Sequence, residues 1–351
     1  MAVSRFFRMR DCGRLGFVFL VVSLSSCFGA PRQQSENEDP KTQTGSTQAP
    51  DDHEIAYFSP SDKSIYSLTG FNTKKKLVTV EDGTATWPVY SPDGNRIAFT
   101  GTVESVLATY TMDAKTGGDI RQITSPEGDL PEGVLDWHMD GRLVCVTKNK
   151  DHNAEIYLIK DKNDMVNITN HVHWDFFPLS HPDGVISFWT SRDDPKVDSK
   201  EYDYQSVYTV NPDGSDLKKR FQIDAMTSKD VSSGIFPAIS PDGATYVFMM
   251  DQDLYRINMD GSDLTNVTNT KDNQELFPFF SDKEPKRVYF SSSEAGRPGL
   301  NIFSTDLNGK DRKQHTFLEG EVILYPKFRP CESNDTSGGA QRGLTILSEH
   351  D

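Results

Sequence analysis

The chain of 351 residues carries 37 lysines and arginines against 52 aspartates and glutamates, which gives a formal net charge of −15. An acidic surface repels phosphate backbones, so this balance argues against a nucleic-acid partner and favours a basic partner or cations. Between polar segments at its two ends lie about 278 residues, from 53 to 330, which is enough for one large core.

The first 26 residues are typical of an export signal. Arginines at positions 5, 8, 10 and 14 precede an apolar run, residues 15–24, that is too short to span a bilayer as a mature helix. The run ends in L-S-S-C at residues 24–27, which resembles the lipobox of bacterial lipoproteins. The resemblance implies cleavage before Cys27, a diacylglycerol on its thiol, and a mature net charge of about −18 after four arginines and one aspartate are lost. The alternative is an ordinary signal peptide followed by an unrelated cysteine.

The segments that flank the presumptive core are polar. Residues 28–52 are rich in Pro, Gln, Ser and Thr and predict a flexible tether. Residues 331–351 are rich in Ser and Gly and predict a disordered tail. The predicted organisation is therefore a signal peptide (1–26), a lipidated cysteine with its tether (27–52), a folded domain (53–330) and a tail (331–351).

A unit of sequence recurs through the predicted domain. It begins with an anchor, usually an aromatic residue followed by proline, and continues as a strand, a tight turn and a second strand. Spacings between successive anchors run from 41 to 59 residues, near the period of about 40–50 expected for the blades of a β-propeller. The anchors are Trp87, Val134, Phe177, Phe236, Phe277 and Tyr325.

The residue types in the turn inside the unit fit the positions of a tight β-turn. In the S-P-D-G sequence of residues 91–94, proline sets the first central position, aspartate suits the second, and glycine accepts the left-handed conformation. Asp140-Gly141, Asp183-Gly184 and Asp242-Gly243 repeat the pattern. We interpret these aspartates as turn formers and not as catalytic carboxylates.

Two further strands complete each unit. A third strand alternates branched and aromatic residues, as in 156–159, and a short fourth strand ends near threonine, as in 120–124, 166–169 and 264–268. The last anchor supplies only a first strand, residues 322–328, whereas the start of the domain supplies the other three. We predict that the C-terminal strand completes the N-terminal blade, which removes both open sheet edges. The predicted fold is an all-β, six-bladed β-propeller with four-stranded antiparallel blades.

The repeated unit, [WF]-P-x-x-S-P-D-G-x-x-I-A-F with N-x-D-G turns and L-T endings, resembles the WD-repeat-like propeller of TolB and its relatives over residues 54–330. That family implies a propeller that docks other proteins in the cell envelope, without a cofactor. The chain departs from the family because it has no room for the extra N-terminal α/β domain and because it carries its own lipidation signal. We expect an outer-membrane lipoprotein facing the periplasm or the cell surface, since Phe28 and not aspartate follows Cys27.

The loops between blades predict the binding face. In a propeller they share a face with the loops between the second and third strands of each blade, and here both sets are acidic. One loop, residues 191–206, is unusually long, and long loops tend to be functional or disordered. We expect an envelope protein or peptide with a basic segment to bind there; the alternative is a solvated rim with a disordered insertion. The predicted contact residues are Glu132, His171, His173, Trp174, Asp175, Tyr202, Tyr204 and Glu275.

No nucleophile elbow, P-loop or dinucleotide fingerprint occurs in the sequence, so we do not expect an enzyme. The alternative is a propeller enzyme of the oligogalacturonate lyase type with a metal in its channel. Its support is limited to Asp175 and the histidines at 138, 171, 173 and 181, because imidazole and carboxylate both suit zinc. The cysteines leave a second question open: Cys145 and Cys331 are compatible with one disulfide or with two unrelated residues.

Overall fold

The computed structural model describes residues 53–80, 87–124, 131–148, 154–193, 206–223, 235–270, 273–284, 286–294 and 297–330, with only the backbone described at 131–135 and 148. These ranges contain 24 β-strands in six four-stranded antiparallel sheets. They contain no helix, and therefore no helix that is long and apolar enough to cross a membrane. The prediction of an all-β propeller with six blades is confirmed.

The first three blades run from the innermost strand outward as follows. Blade 1 contains β24 (Leu324–Phe328), β1 (Glu54–Ser59), β2 (Ser64–Thr69) and β3 (Thr73–Thr79). Blade 2 contains β4 (Val89–Tyr90), β5 (Arg96–Val103), β6 (Val106–Asp113) and β7 (Arg121–Gln122). Blade 3 contains β8 (Pro131–Trp137), β9 (Leu143–Lys148), β10 (Ala154–Asp161) and β11 (Asp164–Asn167).

The other three blades follow the same order. Blade 4 contains β12 (Asp175–Ser180), β13 (Ile186–Thr190), β14 (Ser206–Val210) and β15 (Lys218–Gln222). Blade 5 contains β16 (Ala238–Ile239), β17 (Thr245–Met250), β18 (Asp253–Asn258) and β19 (Thr265–Asn266). Blade 6 contains β20 (Glu275–Phe280), β21 (Arg287–Ser292), β22 (Asn301–Asp306) and β23 (Lys313–Gln314).

The ring closes in blade 1, where β24 pairs antiparallel with β1. Ile55 lies opposite Phe328, and Phe58 lies opposite Leu324, with an irregularity in the register between them. Beyond the strands, the Arg329 guanidinium forms an ion pair with Glu54 at 2.9 Å. The predicted closure by the C-terminal strand is confirmed: β24 covers the edge of β1 and becomes the innermost strand of blade 1.

The S-P-D-G turns fold as the sequence predicts. Asp93 accepts hydrogen bonds from the Ser91 hydroxyl at 2.6 Å and from the Asn95 amide at 3.0 Å, while Gly94 takes a φ of +69°. Only glycine adopts that backbone conformation without strain. The other turn aspartates accept a backbone amide two residues on in the same way, namely Asp140, Asp183 and Asp242.

The fourth strands of blades 2 and 5 are shorter than the sequence predicts, because the threonine that follows each of them leaves the sheet edge. Its hydroxyl oxygen accepts a backbone amide near the start of the third strand. The Leu254 amide donates to Thr268 Oγ1 at 2.9 Å, and the Ile302 amide donates to Thr316 Oγ1 at 2.8 Å. The L-T endings therefore mark where each outer strand turns inward towards the next blade.

Stacked aromatic pairs across the second and third strands fill the blades. Their centroids lie 5.6 to 6.3 Å apart, within the range in which offset rings attract each other. In blade 3, Cys145 lies opposite Tyr157 in the same register. Cys145 is a free, fully buried thiol whose pKa is raised by burial, and Cys331 lies outside the described residues. The pairs are Tyr57–Tyr66, Phe99–Tyr110, Phe188–Tyr208, Phe248–Tyr255 and Phe290–Phe303.

Candidate functional site: the connector face

The two faces of the ring carry different loops, because the four strands of each blade alternate in direction. One face carries the connectors between blades, including residues 168–174, 267–270 and 315–323, together with the loops between second and third strands. We call it the connector face. The opposite face carries turns such as 91–95 and 138–142, and we call it the turn face. Of the predicted contact residues, His171, His173, Trp174, Asp175 and Glu275 are described, and their backbone lies at the connector face.

Aromatic anchors meet around the central axis. The Phe277 ring lies 4.6 Å from Tyr325 and 4.8 Å from Phe236, and the Trp87 ring lies 5.1 Å from Tyr325, as centroid distances. Together with their prolines they line a small cavity of about 50 Å³ in which Lys327 is the one charged residue among those lining it. The described walls are therefore mostly apolar, which suits a packed centre better than a path for a sugar.

Blade 3 differs from the mostly apolar anchors of the other blades, because Asp136 lies two positions after its anchor, Val134. Asp136 accepts the Ser180 amide at 2.9 Å, which ties blade 3 to blade 4. Burial raises the pKa of Asp136, and Lys327 partly opposes that shift; burial also lowers the pKa of Lys327, which Asp136 partly opposes. The two opposite charges therefore compensate one another near the axis.

Asp175 occupies the first position of β12 and is fully buried. Its Oδ2 accepts the Arg192 guanidinium at 2.8 Å, whereas Oδ1 accepts no hydrogen bond from any described residue. Arg192 also stacks over Phe188 and Tyr208, with its central carbon 5.1 and 5.0 Å from the ring centroids. Burial raises the pKa of Asp175, and Arg192 opposes the shift.

Glu275 holds the equivalent position in blade 6, two residues before its anchor, and is also fully buried. Its Oε1 lies 3.0 Å from the Arg312 guanidinium, and Oε2 accepts no hydrogen bond within the described ranges. Arg312 stacks over Phe303 and Phe290, at 4.5 and 5.2 Å. Asp175 and Glu275 are thus neutralised beneath the connectors and are not exposed to solvent.

Glu155, which the sequence analysis missed, joins Asp175 under the same connector. It is fully buried at the start of β10; its Oε2 accepts the Thr169 hydroxyl at 2.6 Å and its Oε1 accepts the His171 amide at 2.9 Å. Burial, with a contribution from Asp175, raises its pKa to about 7. A polar residue opening the third strand, followed by an L-T or I-T ending, is the sequence signal that identifies this position.

The histidines fall into two separate sets. His171 and His173 stack on the connector face with centroids 5.0 Å apart, and the His173 amide donates to His171 Nδ1 at 3.2 Å. His138 and His181 are buried on the turn face, where burial lowers the pKa of His181 to about 4. Across the described part of the chain, no three His, Cys, Asp or Glu residues are grouped so that they could hold a metal.

Two apolar side chains stand out on the connector face. Val172 is 75% exposed and Phe317 is 72% exposed, the largest values among the exposed large hydrophobic residues of the described chain. They lie on the connectors from blade 3 to blade 4 and from blade 6 to blade 1, which are opposite one another in a six-membered ring. Half-buried Trp174 lies beside Phe176 at 5.4 Å, adding aromatic surface near Val172.

Four of the predicted site residues lie wholly or partly outside this description. Cys27, Tyr202 and Tyr204 fall in ranges that the structure does not describe, as does most of the loop 191–206. Glu132 belongs to β8, where only the backbone is described, at the position equivalent to Asp175 and Glu275. Their roles remain predictions.

Comparison with known proteins places the fold. No protein-family model matches the chain. TolB from Acinetobacter baumannii superposes with a TM-score of 0.63 at 17% identity, covering 81% of this chain and 68% of that one. A protein of Agrobacterium tumefaciens provisionally assigned as TolB gives a TM-score of 0.55 at 15% identity, covering 80% and 99%. These likenesses, with the six closed blades, define the chain as a TolB-like β-propeller.

A sequence relative of unassigned role extends this comparison. The uncharacterized protein Atu1656 of Agrobacterium fabrum is 26% identical over 223 residues, which is 60% of this chain and 73% of that protein. The fold class is therefore established by structure, whereas the function follows from the surface and the site.

Proposed function

We propose that this chain is a lipid-anchored protein of the cell envelope that binds a protein partner through its connector face and acts as a binding module, not as an enzyme. The observation that carries the proposal is the pair of exposed apolar residues, Val172 and Phe317, on one face of a rigid ring. Each is a single apolar side chain on its own connector, and a partner that spans the connector face would cover both of them. The TolB-like fold supports this reading, since proteins of that class belong to the envelope.

Charge on the connector face favours a partner with basic side chains. Glu104, Asp251 and Glu319 are exposed there, and none forms an ion pair with another described residue. The long loop 191–206 adds Tyr202 and Tyr204 to the proposed surface, because tyrosines combine apolar area with a polar tip. A partner segment that carries both basic and apolar side chains fits these features best.

Membrane attachment is the second part of the proposal. Its support is the L-S-S-C sequence at 24–27 after the apolar run, and two or three acyl chains would hold the protein firmly on a membrane. A Cys27→Ser variant is expected to lose lipid labelling and to accumulate as precursor or as mislocalised protein. Normal processing and membrane retention of that variant would contradict the anchor.

Site-specific photocrosslinking tests the binding face in intact cells. A photoreactive amino acid at position 172 or 317 is expected to give the same adduct from both positions. Position 139 is the matched control, because Met139 is 60% exposed and apolar but lies on the turn face. Adducts at 139 of equal yield, or different adducts at 172 and 317, would place the interface elsewhere.

A further inference from the structure

Two carboxyl groups and one threonine are brought together between blades 5 and 6. Asp253 Oδ1 accepts the Thr268 hydroxyl and the Thr270 amide, both at 2.9 Å. Thr270 Oγ1 lies 3.1 Å from Asp253 Oδ1 and 3.2 Å from Glu275 Oε1. Because a hydroxyl carries one proton, it donates to only one of these oxygens; the second contact is a hydrogen bond only if a carboxyl supplies a proton.

The boundary between blades 3 and 4 repeats the arrangement with exchanged residue types. Glu155 takes the place of Asp253 and accepts the Thr169 hydroxyl and the His171 amide. Asp175 takes the place of Glu275, and both acids are fully buried. Each boundary therefore contains two acids and one arginine, Arg192 or Arg312, so one retained proton makes each cluster neutral.

The boundary between blades 6 and 1 provides a comparison inside the same molecule. Asn301 Oδ1 accepts the Thr316 hydroxyl at 2.8 Å and the Leu318 amide at 2.9 Å, so a neutral amide fixes that connector in the same way. The position of the second acid is taken by Ile323, which is fully buried. A connector thus needs an oxygen acceptor at this point, but it does not need a negative charge or a second acid.

The geometry points to a pH-sensitive hold on the connector face, in which the connectors after Thr169 and Thr268 are fixed while each acid pair keeps one proton and loosen when that proton is lost. The inference rests on the proposed function only in identifying the regulated surface as the docking surface. The charged or titratable groups that face Glu155 are Asp175, Arg192, His171, His173 and, beyond Arg192, Asp193; those that face Glu275 are Asp253 and Arg312.

The direction of the effect follows from burial. Desolvation is the main cause that raises the pKa of both Glu155 and Glu275 to about 7 from an ordinary value of 4.5. A carboxyl with a raised pKa stabilises the closed connector fully below pH 4.5, and that contribution declines as the pH rises to about 7. Above pH 7 each cluster carries an uncompensated buried negative charge, which favours opening.

Hydrogen exchange of three equivalent amides in the full chain tests the inference. The His171 and Thr270 amides point at the acid clusters, and the Leu318 amide points at Asn301. After correction for intrinsic exchange, protection of the first two is expected to fall about tenfold more than that of Leu318 between pH 6 and pH 8. An equal pH response at all three amides would overturn the inference without any variant being made.

Isosteric variants assign the response to the acids. A Glu155→Gln/Glu275→Gln double variant is expected to remove the excess pH response at both amides; a response that persists would also overturn the inference. The control in the same variant is the Leu318 amide, which donates to the neutral Asn301 and is expected to keep the pH response that it has in the parent chain. Failure of the proposed function would appear as absent crosslinks at 172 and 317, with these amide measurements unaffected.

Discussion

Four of the six anchors hold a backbone conformation that bulky residues rarely adopt. Phe177, Phe236, Phe277 and Tyr325 have φ values between +38° and +54°. Such residues cost on the order of 1–3 kcal/mol each unless the surroundings enforce the conformation. Here the contacts between their rings along the axis enforce it, and the accompanying irregularities in β12 and β20 turn the rings inward. The strain is thus tied to closing the centre of the ring.

Substitutions at two glycines with similar φ values distinguish the cost of backbone strain from the cost of steric crowding. A Cβ on Gly309 would lie 2.0 Å from the Val267 carbonyl oxygen of the neighbouring blade, whereas a Cβ on Gly141 would have no atom within 4 Å. We expect Gly141→Ala to cost about 1 kcal/mol from its left-handed φ alone, and Gly309→Ala to cost about 2 kcal/mol more because blades 5 and 6 must separate. Urea unfolding measures both; equal losses would mean that the contact with Val267 is readily relieved.

Some polar residues of the structure could be predicted from the sequence and others could not. The turn aspartates were predictable because their chemistry is local, with each accepting an amide two residues away. Glu155, Asp253 and Asn301 were not, since their partners lie 14 to 17 residues further along the chain and become neighbours only when the third and fourth strands of the blade pair. The burial of Asp175 and Glu275 was equally hidden, because the arginines that neutralise them come from separate segments.

The closing strand is the element with the largest expected effect on stability. Deleting residues 322–351 removes β24, opens β1 as a sheet edge and withdraws the Tyr325 ring from Trp87 and Phe277. Loss of one such buried ring costs about 3–5 kcal/mol, so we expect the melting temperature to fall by at least about 10 °C. Deleting only 332–351 is the control and is expected to leave it nearly unchanged. Equal melting temperatures would contradict a structural role for β24.

The blades as units were predictable, but the extent of their outer strands was not. Anchor, turn and third-strand patterns gave the order and number of strands, because each pattern depends on the period of a strand and the chemistry of its turn. The outer strands β7 and β19 are each two residues long, since the threonine that follows each strand accepts an amide of the third strand of the same blade. A pattern of side chains alone does not distinguish a strand residue from one that caps the next strand.

At the scale of the whole ring, we expect the proposed docking surface to depend on the long loop of residues 191–206 in blade 4. Replacing residues 194–205 by a short Gly-Ser turn is expected to reduce partner capture and to leave the melting temperature nearly unchanged. The replacement spares Arg192 and Ser206, because Arg192 pairs with buried Asp175 and Ser206 begins β14. Capture should also weaken above about 0.1 M salt, where the Debye length falls below about 10 Å. Undiminished, salt-independent capture would place the interface outside this loop.

Closure of blade 1 has a consequence for the order in which the molecule acquires its shape. β1, β2 and β3 leave the ribosome about 245 residues before β24 does, as their positions at 54–79 and 324–328 require. Until then the propeller is an open arc, and the strands at its two ends have unpaired edges. Pairing of β1 with β24 is intrinsically slow, because the two strands are far apart in the sequence. An incomplete chain therefore stays open at both edges, which suits the export before folding that residues 1–26 predict. Once β24 has paired with β1, unfolding must first break that pairing. The complete ring is therefore expected to unfold slowly.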